Sequence, residues 1–310
     1  MLAESSIREL EYIVREFDNG LTVRELMKNR FGMSSREITR CKQFEDGVMI
    51  KKNGTSEYVK TMIREQVSIG DKLRIRIYED NTKAILIVPW DEPIDIVYED
   101  EDLILLNKSG DMVVHPSYAH YTDSLSNALA GYYERTGQKH LIRAIGRLDR
   151  ETSGLVMFAK NRHSAALLSG QKGQISRRKE YLAIAEGIFE QKKGTIDAPI
   201  ERCDDSRMLR EVRPDGKPAI THYSVEKQYE NYALLRLKLD TGRTHQIRVH
   251  MSYIGHPLLG DTLYGREAVS TYGLARTALH GSKLEFTQPI TGEHLEFVAP
   301  IPEDMAAILH

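Results

Sequence analysis

The apolar positions of residues 1–80 predict short helices followed by a small β element. Four apolar side chains recur at the spacing of an amphipathic helix: Ile7, Leu10, Val14 and Phe17. Two further helices are predicted at about 23–31 and 35–44. Each follows a capping box, in which a hydroxyl residue pairs with a glutamate three positions on: Thr22 with Glu25, and Ser34 with Glu37. The strand-like VMIK, the turn pair Asn53-Gly54 and the alternating KLRIRIY complete the unit.

From about residue 96 onward, strands and helices alternate without regular crossover spacing. The segments LILLN, LVMFA, YLAIA and ALLRLKL have the composition of strands. One helix is predicted in DSLSNALAGYYERTG, with Asp123 or Ser124 as its cap and Gly137 beyond its end. A second is predicted in THQIRVHMSYIG, capped by Thr244 and stopped by Gly255. The long, irregular connections favour an α+β fold with a mixed, largely antiparallel sheet flanked by helices.

Composition describes an ordinary globular protein with room for two domains. The chain has 310 residues, of which 41% are hydrophobic and 28% charged. Residues 91–102, DEPIDIVYEDED, carry seven acids and no base, and prolines lie nearby. We therefore expect a first domain at 1–80, a linker at 81–95 and a second domain at 96–310.

Two classes of protein are disfavoured by what the chain lacks. Its two cysteines, Cys41 and Cys203, are far apart in sequence, which argues against a disulfide scaffold or a cysteine-based zinc site and favours a reducing cytoplasm. The acidic N-terminus does not resemble a signal peptide. The longest apolar run is about seven residues, far short of the roughly 20 that span a bilayer. We expect a cytoplasmic protein without a membrane partner.

The net charge of −2 gives no global sign of a polyanionic partner, but the N-terminal charge is locally uneven. Residues 22–76 hold 13 Lys/Arg against seven Asp/Glu. Arg36 and Arg40 fall on one face of the second predicted helix, with Gln43. Such a stripe is either a solvated face or a surface that contacts phosphates.

One acid lies in a strongly basic segment at the middle of the chain. Asp149 stands between Arg147 and Arg150 in GRLDRETSGL, just before a buried strand. Residues 143–178 contain eight Lys/Arg and only two acids. Nearby cations favour the ionised carboxylate, which suits nucleophilic catalysis and is a poor general acid. The alternative is a structural ion pair that fixes a turn.

A second segment of similar character covers residues 239–261. Arg248 lies on a different side of its predicted helix from Ile247 and could reach into a cleft. Three histidines are spaced five and six residues apart, without a carboxylate among them, which argues against a metal site: His245, His250 and His256. Phosphate-binding glycine loops and the GxSxG elbow are missing, and glycoside hydrolysis normally needs two carboxylates. A single acid among cations indicates an anionic substrate.

These motifs resemble those of the RluA-type pseudouridine synthases. The matching segments, in family order, are ILLNKSGDMVVHP, GRLDRETSGL, KEYLA and GRTHQIRVH followed by GHPLLGD. The resemblance covers about residues 94–300, with Gly146 where most members have histidine and Ser109 where proline is usual. Residues 1–80 are similar to the S4-like RNA-binding module that many members carry.

The resemblance implies a role for each matching residue. Asp149 would be the nucleophile, and Arg248 would pair with it. Tyr181 would stack on the target base, Ile247 would form an apolar wall, and Arg147 would replace the base in the RNA stack. A buried uridine must first be turned out of its helix, at a cost of a few kcal/mol. The rearrangement is redox-neutral and implies no cofactor and no metal.

The resemblance also implies RNA as the partner, with ribosomal RNA of the large subunit favoured over transfer RNA. Arg36 and Arg40 would contact phosphates, and a monomer is the default expectation. Two alternatives stay open. A non-catalytic RNA-binding or ribosome-assembly protein would bind RNA without modifying it. A hydrolytic N-glycosidase would cleave the same bond and leave abasic RNA.

Overall fold

The computed structural model describes residues 6–79, 87–169, 177–206, 208–265 and 272–310. Its N-terminal part contains a four-stranded sheet and two helices, in chain order β1 (Ile7–Ile13), α1 (Val23–Phe31), α2 (Ser35–Cys41), β2 (Val48–Lys51), β3 (Val59–Lys60) and β4 (Lys72–Tyr78). The sheet order is β1-β4-β2-β3. These elements enclose a core of their own, which includes Leu10, Leu26, Ile38 and Leu73. Residues 6–79 are called the N-terminal module below.

The helix expected from Ile7 to Phe17 is wrong, because residues 7–13 form a strand. β1 pairs antiparallel with β4 along its whole length, with Leu10 opposite Ile75. Leu10 is buried, whereas Ile7 and Phe17 are largely exposed, so the helical spacing of these apolar residues does not describe one buried face. Pairing with a neighbouring strand overrides a short local pattern.

Both predicted capping boxes are confirmed, and each begins a helix at the expected residue. In α1 the Thr22 hydroxyl accepts from the Glu25 amide while the Glu25 carboxylate accepts from the Thr22 amide. In α2 Ser34 and Glu37 do the same, but the helix ends at Cys41 rather than near 44. Arg36 is exposed and Arg40 half-buried, and Gln43 lies beyond the helix.

The rest of the chain is built around a ten-stranded sheet. Its elements are β5 (Ile96–Glu99), β6 (Leu103–Lys108), α3 (Leu125–Arg135), β7 (Arg143–Ile145), β8 (Ser153–Ala159), α4 (Arg162–Ser169), β9 (Arg177–Glu186), β10 (Lys193–Asp197), β11 (Ile200–Arg202), β12 (Arg210–Val212), β13 (Ile220–Gln228), β14 (Tyr232–Leu239), α5 (Gln246–Tyr253), β15 (Leu279–Thr287), β16 (His294–Val298) and α6 (Glu303–Ala306). The four predicted strands and the helix capped by Ser124 are confirmed. Strands β11 and β12 form a separate hairpin.

The sheet is mixed and largely antiparallel, which confirms the predicted α+β class. Its order is β10-β13-β14-β9-β15-β8-β6-β5, with β16 beside β15 and β7 beside β8. Among the described strand pairs only β15 and β8 run parallel, with His280 opposite Ser153 and Gly281 opposite Gly154. This short contact lies where the loop that carries Asp149 enters β8.

The central strands are buried on both faces. On β6, Ile104 and Leu106 join the cluster that includes residues of α3 and α5. Leu103 and Leu105 point the other way and pack in a cluster with Leu168 of α4. Burying each such side chain stabilises the fold by about 1.5–3 kcal/mol. Among the described residues, no helix has the length and apolar character needed to cross a membrane.

The N-terminal module contacts the large sheet through paired polar groups. Arg8 donates two hydrogen bonds, each 2.9 Å long, to the buried carboxylate of Asp102. Glu79 accepts from the guanidinium of Arg143. Glu37 lies 3.0 Å from Nδ1 of the fully buried His163. Since these groups lie at the end of β8 opposite the Asp149 loop, the module leaves that loop uncovered.

The contact between Glu37 and His163 predicts a pH-dependent contribution to stability. Burial alone would raise the pKa of Glu37, but hydrogen bonds with His163 and Ser34 lower it from 4.5 to about 2. A carboxyl whose pKa is depressed in the folded state stabilises the fold fully above its unfolded pKa. We therefore expect Glu37→Gln to lower the free energy of unfolding by about 3 kcal/mol at pH 7.

That difference should shrink as the pH falls from about 4.5 toward 2, where Glu37 becomes protonated in both states. Urea unfolding of both proteins at a series of pH values measures it. Glu45→Gln is the control, because Glu45 is highly exposed in its ion pair with Lys60 and should cost less than about 1 kcal/mol. A difference between wild type and Glu37→Gln that stays constant with pH would contradict the assignment.

Candidate active site

Asp149 lies in a short loop, residues 146–152, between β7 and β8. Gly146 opens the loop with φ of +89°, a conformation that favours glycine. A Cβ at this position would meet nothing closer than Nζ of Lys179, at 3.9 Å. Backbone conformation, rather than lack of space, therefore favours glycine at this position. The amide of Thr152 donates to the Asp149 carbonyl at 3.1 Å and closes the turn.

Two buried cations, Lys108 and Arg276, donate hydrogen bonds to backbone carbonyls of this loop. The ammonium of Lys108, which is 2% exposed, donates to the carbonyls of Ser109, Met112 and Arg150 at 2.7, 2.7 and 3.0 Å. Burial, reinforced by the nearby charge of Arg276, lowers the pKa of Lys108 to about 7. Arg276 itself donates to the Glu151 carbonyl at 3.1 Å. Two buried cations thus hold the carbonyls of the two residues that follow Asp149 in its turn.

The second side of the site comes from α5, which begins one residue later than expected. His245 precedes the helix in a left-handed conformation, φ +57°, and no side chain caps the helix, so the predicted cap at Thr244 is wrong. Gln246 secures the start instead. Its amide oxygen accepts from Thr241 and from the amide of Arg243, and its nitrogen donates to the Ile220 carbonyl.

The two sequence segments meet in one cavity of about 680 Å³, a size typical of ligand pockets. The cavity brings together all five site residues predicted for the second domain: Arg147, Asp149, Tyr181, Ile247 and Arg248. Arg36 and Arg40 belong to the N-terminal module and do not line it. A larger cleft of about 1200 Å³ lies between the module and the sheet, and Asp149 does not line that one.

The charges around Asp149 are arranged differently from the expectation. Arg147 lies 3.6 Å from the Asp149 carboxylate, but Arg150 turns away and pairs with Asp111 at 2.7 Å. Arg147 is 68% exposed, whereas Asp149 is 19% exposed. Among the described residues, Arg147 is therefore the one cation within ion-pair distance of the Asp149 carboxylate.

The expected direct ion pair of Arg248 with Asp149 is not formed among the described residues, and Asp149 acts on Arg248 only through its charge. Arg248, 3% exposed, donates to both oxygens of the buried Asp261 at 2.7 and 2.6 Å. It also lies 3.3 Å from the carboxylate of Glu151. Burial alone would lower the pKa of Arg248, but these carboxylates, Asp261 above all, raise it. Since Glu151 is in the loop that bears Asp149, Arg248 supports the loop from inside.

Tyr181 forms the inner wall of the cavity on β9. It is 8% exposed, and among the described residues no group forms a hydrogen bond with its hydroxyl. Burial, with the charge of Asp149 adding to it, raises the pKa of this phenol well above its usual value. The phenol hydroxyl therefore stays protonated. The side chain offers a bound molecule a flat apolar face and one free hydroxyl. Ile247, 4% exposed, adds an aliphatic surface.

Lys179 also lines the cavity and was not predicted as a site residue. Burial, followed by the charge of Arg177, lowers the pKa of its ammonium to about 8. Within the described part of the chain, no carboxylate pairs with it. The signal was present, because Lys179 and Tyr181 are two residues apart and side chains of a strand alternate between its faces.

The three histidines near α5 do not converge. His245 contacts the Tyr264 hydroxyl at 2.8 Å, and His250 lies between Thr221 and the Ala198 carbonyl. His256 stacks on Phe189 and contacts the Glu186 carbonyl. Each ring thus has its own partner within the fold.

Comparison of the sequence with known proteins finds consistent relatives. Residues 102–253 match the family described as RNA pseudouridylate synthase. The uncharacterized RNA pseudouridine synthase YjbO of Bacillus subtilis strain 168 is 39% identical over 290 residues, which cover 93% of this chain and 98% of that protein. Ribosomal large subunit pseudouridine synthase D of Vibrio parahaemolyticus is 46% identical over 231 residues, 70% of each chain.

The fold is similar to that of solved structures with related titles. Human RNA pseudouridylate synthase domain containing 4 superposes with a TM-score of 0.58 at 26% identity, over 70% of this chain and 92% of that one. Human RNA pseudouridylate synthase domain containing 1 gives a TM-score of 0.57 at 26% identity, over 69% of this chain and 86% of that one.

Proposed function

This chain belongs to the RluA-type RNA pseudouridine synthases, isomerases that act on RNA, and we propose that it modifies large-subunit ribosomal RNA with Asp149 as its nucleophile. The observation that carries the assignment of the site is the single cavity shared by Asp149, Tyr181 and the start of α5. Relatives named ribosomal large subunit pseudouridine synthase D support the choice of RNA. Transfer RNA is the second candidate substrate.

The isomerisation requires one nucleophile and a cavity in which the detached base can rotate. The bond between the ribose and N1 of uracil breaks, the base rotates, and C5 bonds to the ribose in its place. C5 then loses its proton and N1 gains one. Asp149 forms a covalent adduct with either the base or the sugar while the base turns, and that bond breaks again before the product is released. The reaction consumes no water and transfers no electrons.

Each wall of the cavity has a task in that sequence. Tyr181 stacks on the face of the uracil ring. Because its phenol is protonated, it can accept the C5 proton only if it gives up its own hydroxyl proton to another group. Ile247 limits the tilt of the base. Arg248 acts indirectly: it binds Glu151 and Asp261 and thereby positions the loop that carries Asp149. In this division of tasks Asp149 alone is the attacking group.

Arg147 is suited to exchange places with the target base. Its guanidinium is mostly exposed and makes one long contact with Asp149, so leaving the cavity breaks no hydrogen bond of the described structure. When a uridine turns out of its helix, a planar cation can fill the gap and offset part of the lost stacking. The same movement uncovers Asp149 as the base arrives.

We propose that residues 1–80 form an S4-like RNA-binding domain, joined by 81–95 to a catalytic domain at 96–310. The separate sheet and core of the module support this division. The protein would act in the cytoplasm as a monomer, with RNA as partner and no metal or membrane.

If the module docks on phosphates, Arg36→Gln with Arg40→Gln should weaken RNA binding and flatten its salt dependence. Removing one phosphate contact reduces the slope of log K against log salt by roughly 0.7–0.9, so the slope of the double variant should fall by up to about 1.8. Filter binding to a large-subunit ribosomal RNA transcript across a salt series measures it. The control is Lys192→Gln with Lys193→Gln, two cations outside the module. Equal slopes for wild type and the Arg36/Arg40 variant would leave the stripe as a solvated face.

The function is tested by mapping pseudouridines at nucleotide resolution in RNA from cells with and without the gene, by carbodiimide treatment and reverse transcription. Loss of one or a few sites in large-subunit ribosomal RNA supports the proposal, and loss confined to transfer RNA selects the second substrate. If every site persists, and purified protein leaves RNA transcripts unmodified, the synthase assignment of this chain fails. Abasic RNA would indicate the hydrolytic alternative.

A further inference from the structure

A second groove, of about 380 Å³, adjoins the Asp149 cavity. The turn Gly242–Thr244, just before α5, lines both spaces. On its far side the groove is bounded by the hairpin of β11 and β12 and by Lys217, whose backbone pairs with Ile200. A chain that enters the cavity can therefore continue into this groove without leaving the surface.

Three exposed cations line the groove: Arg202, Lys217 and Arg243. Within the described residues none of them has a carboxylate partner, and the single hydrogen bond from the Arg243 side chain, 3.0 Å long, goes to the Pro218 carbonyl. The one acid among the described lining residues is Glu201, whose carboxylate accepts from the backbone amide of Arg202 at 2.9 Å. Cations thus outnumber acids among the described residues that line the groove.

The register of the hairpin places like charges opposite each other. Arg202 stands directly across from Arg210, an arrangement that destabilises an antiparallel pair. Glu201 stands across from Glu211, but Arg213 lies 3.7 Å from Glu211. The cost of the acidic pair is therefore reduced within the fold, whereas Arg202 has no carboxylate partner among the described residues.

Arg213 forms ion pairs with the acids of the segment next to the groove. It binds two further acids of the same segment, Asp204 at 3.0 Å and Asp215 at 2.6 Å. These contacts hold both carboxylates on Arg213, and neither Asp204 nor Asp215 lines the groove.

We propose that this groove binds the phosphodiester backbone of the RNA strand next to the uridine in the cavity, with Arg202, Lys217 and Arg243 as the phosphate ligands. The inference rests on the proposed function, because that function puts the uridine beside Gly242–Thr244. The ligand is a nucleic-acid strand rather than an acidic protein, since the groove continues into a cavity with the shape and flat aromatic wall that suit a base. Phosphate contacts of this kind add affinity and fix register without reading sequence.

The test is direct binding of a fluorescein-labelled oligouridylate of about ten nucleotides to the full chain, followed by anisotropy from about 50 to 300 mM KCl. The variant replaces Arg202, Lys217 and Arg243 together by glutamine. We expect it to weaken binding by about 10- to 100-fold at low salt and to reduce the salt slope by roughly 2. A control with the same charge change replaces Lys192, Lys193 and Lys227, which do not line the groove.

A second measurement locates the strand. Oligouridylate containing 4-thiouridine is cross-linked to wild-type protein, and the modified peptides are identified by mass spectrometry. Cross-links within residues 200–217 or 242–244 support the proposal. Unchanged affinity and slope in the groove variant, an equal loss in the control, or cross-links confined to the N-terminal module would each overturn it. Because neither measurement depends on turnover, failure of the synthase assignment would appear in the pseudouridine maps and not here.

Discussion

Replacement of Asp149 by asparagine is expected to abolish isomerisation while RNA binding is retained. The amide has the size of the carboxylate but is not a nucleophile, and no other described acid lines the cavity except Asp240, which pairs with His222. Loss of a nucleophile typically costs at least about ten-thousand-fold in rate. The rate is measured under single turnover as tritium released from RNA that carries 5-tritiated uridine, because bond formation at C5 expels that hydrogen.

Asp111→Asn is the matched control for this prediction. Asp111 also lies near the loop and pairs with Arg150 at 2.7 Å, but it is 65% exposed and does not line the cavity. We expect its rate to stay within a few-fold of wild type, since an exposed ion pair contributes less than about 1 kcal/mol. Tritium release by Asp149→Asn within ten-fold of wild type would show that another group attacks the uridine.

Gly154→Ala is expected to cost roughly 3–5 kcal/mol of folding stability, from strain at φ > 0 and from overpacking. Gly154 has φ of +115°, and a Cβ built on it would overlap the backbone amide and carbonyl of Gly281. The clash is with main chain rather than with a flexible side chain, so β8 and β15 would have to separate. Since β8 begins at the end of the Asp149 loop, activity should fall with stability. Urea unfolding monitored by circular dichroism gives the free energy.

Gly281→Ala is the control on the facing strand. A Cβ there would lie 3.6 Å from the Leu155 amide and 3.7 Å from Leu148, which are ordinary contacts. We expect a change of less than about 1 kcal/mol for this substitution. If both variants unfold at the same urea concentration, close approach at Gly154 does not explain the glycine of the Thr-Ser-Gly motif.

Local signals in the sequence predicted local structure well. Both capping boxes are made between residues three positions apart, and both helices begin where these pairs place them. The apolar runs of β6 and β8 predicted buried strands because continuous apolar segments of that length are typical of a sheet interior. The first segment failed because its partner β4 follows two helices and two further strands along the chain, and only that pairing makes residues 7–13 a strand.

The sequence predicted which residues line one cavity, but not which of them form ion pairs. The motifs placed Asp149, Tyr181 and Arg248 in one cavity, yet they could not assign the ion pairs. Arg248 binds Asp261, which follows it in the same motif, because the turn after α5 returns that carboxylate to the helix. Such pairing depends on the path of a loop, which no periodicity encodes.

The parallel contact of β15 with β8 also determines when during synthesis the site can form. In the sheet, β15 (residues 279–287) lies between β8 and β9. These two strands are synthesised earlier and cannot be joined into one sheet until β15 has been made. The N-terminal module, by contrast, pairs only strands that lie within residues 6–79 and can fold on the ribosome first. Long-range pairing of this kind slows folding. A nascent chain therefore acquires its N-terminal module well before its large sheet, and with it the Asp149 loop, can be completed.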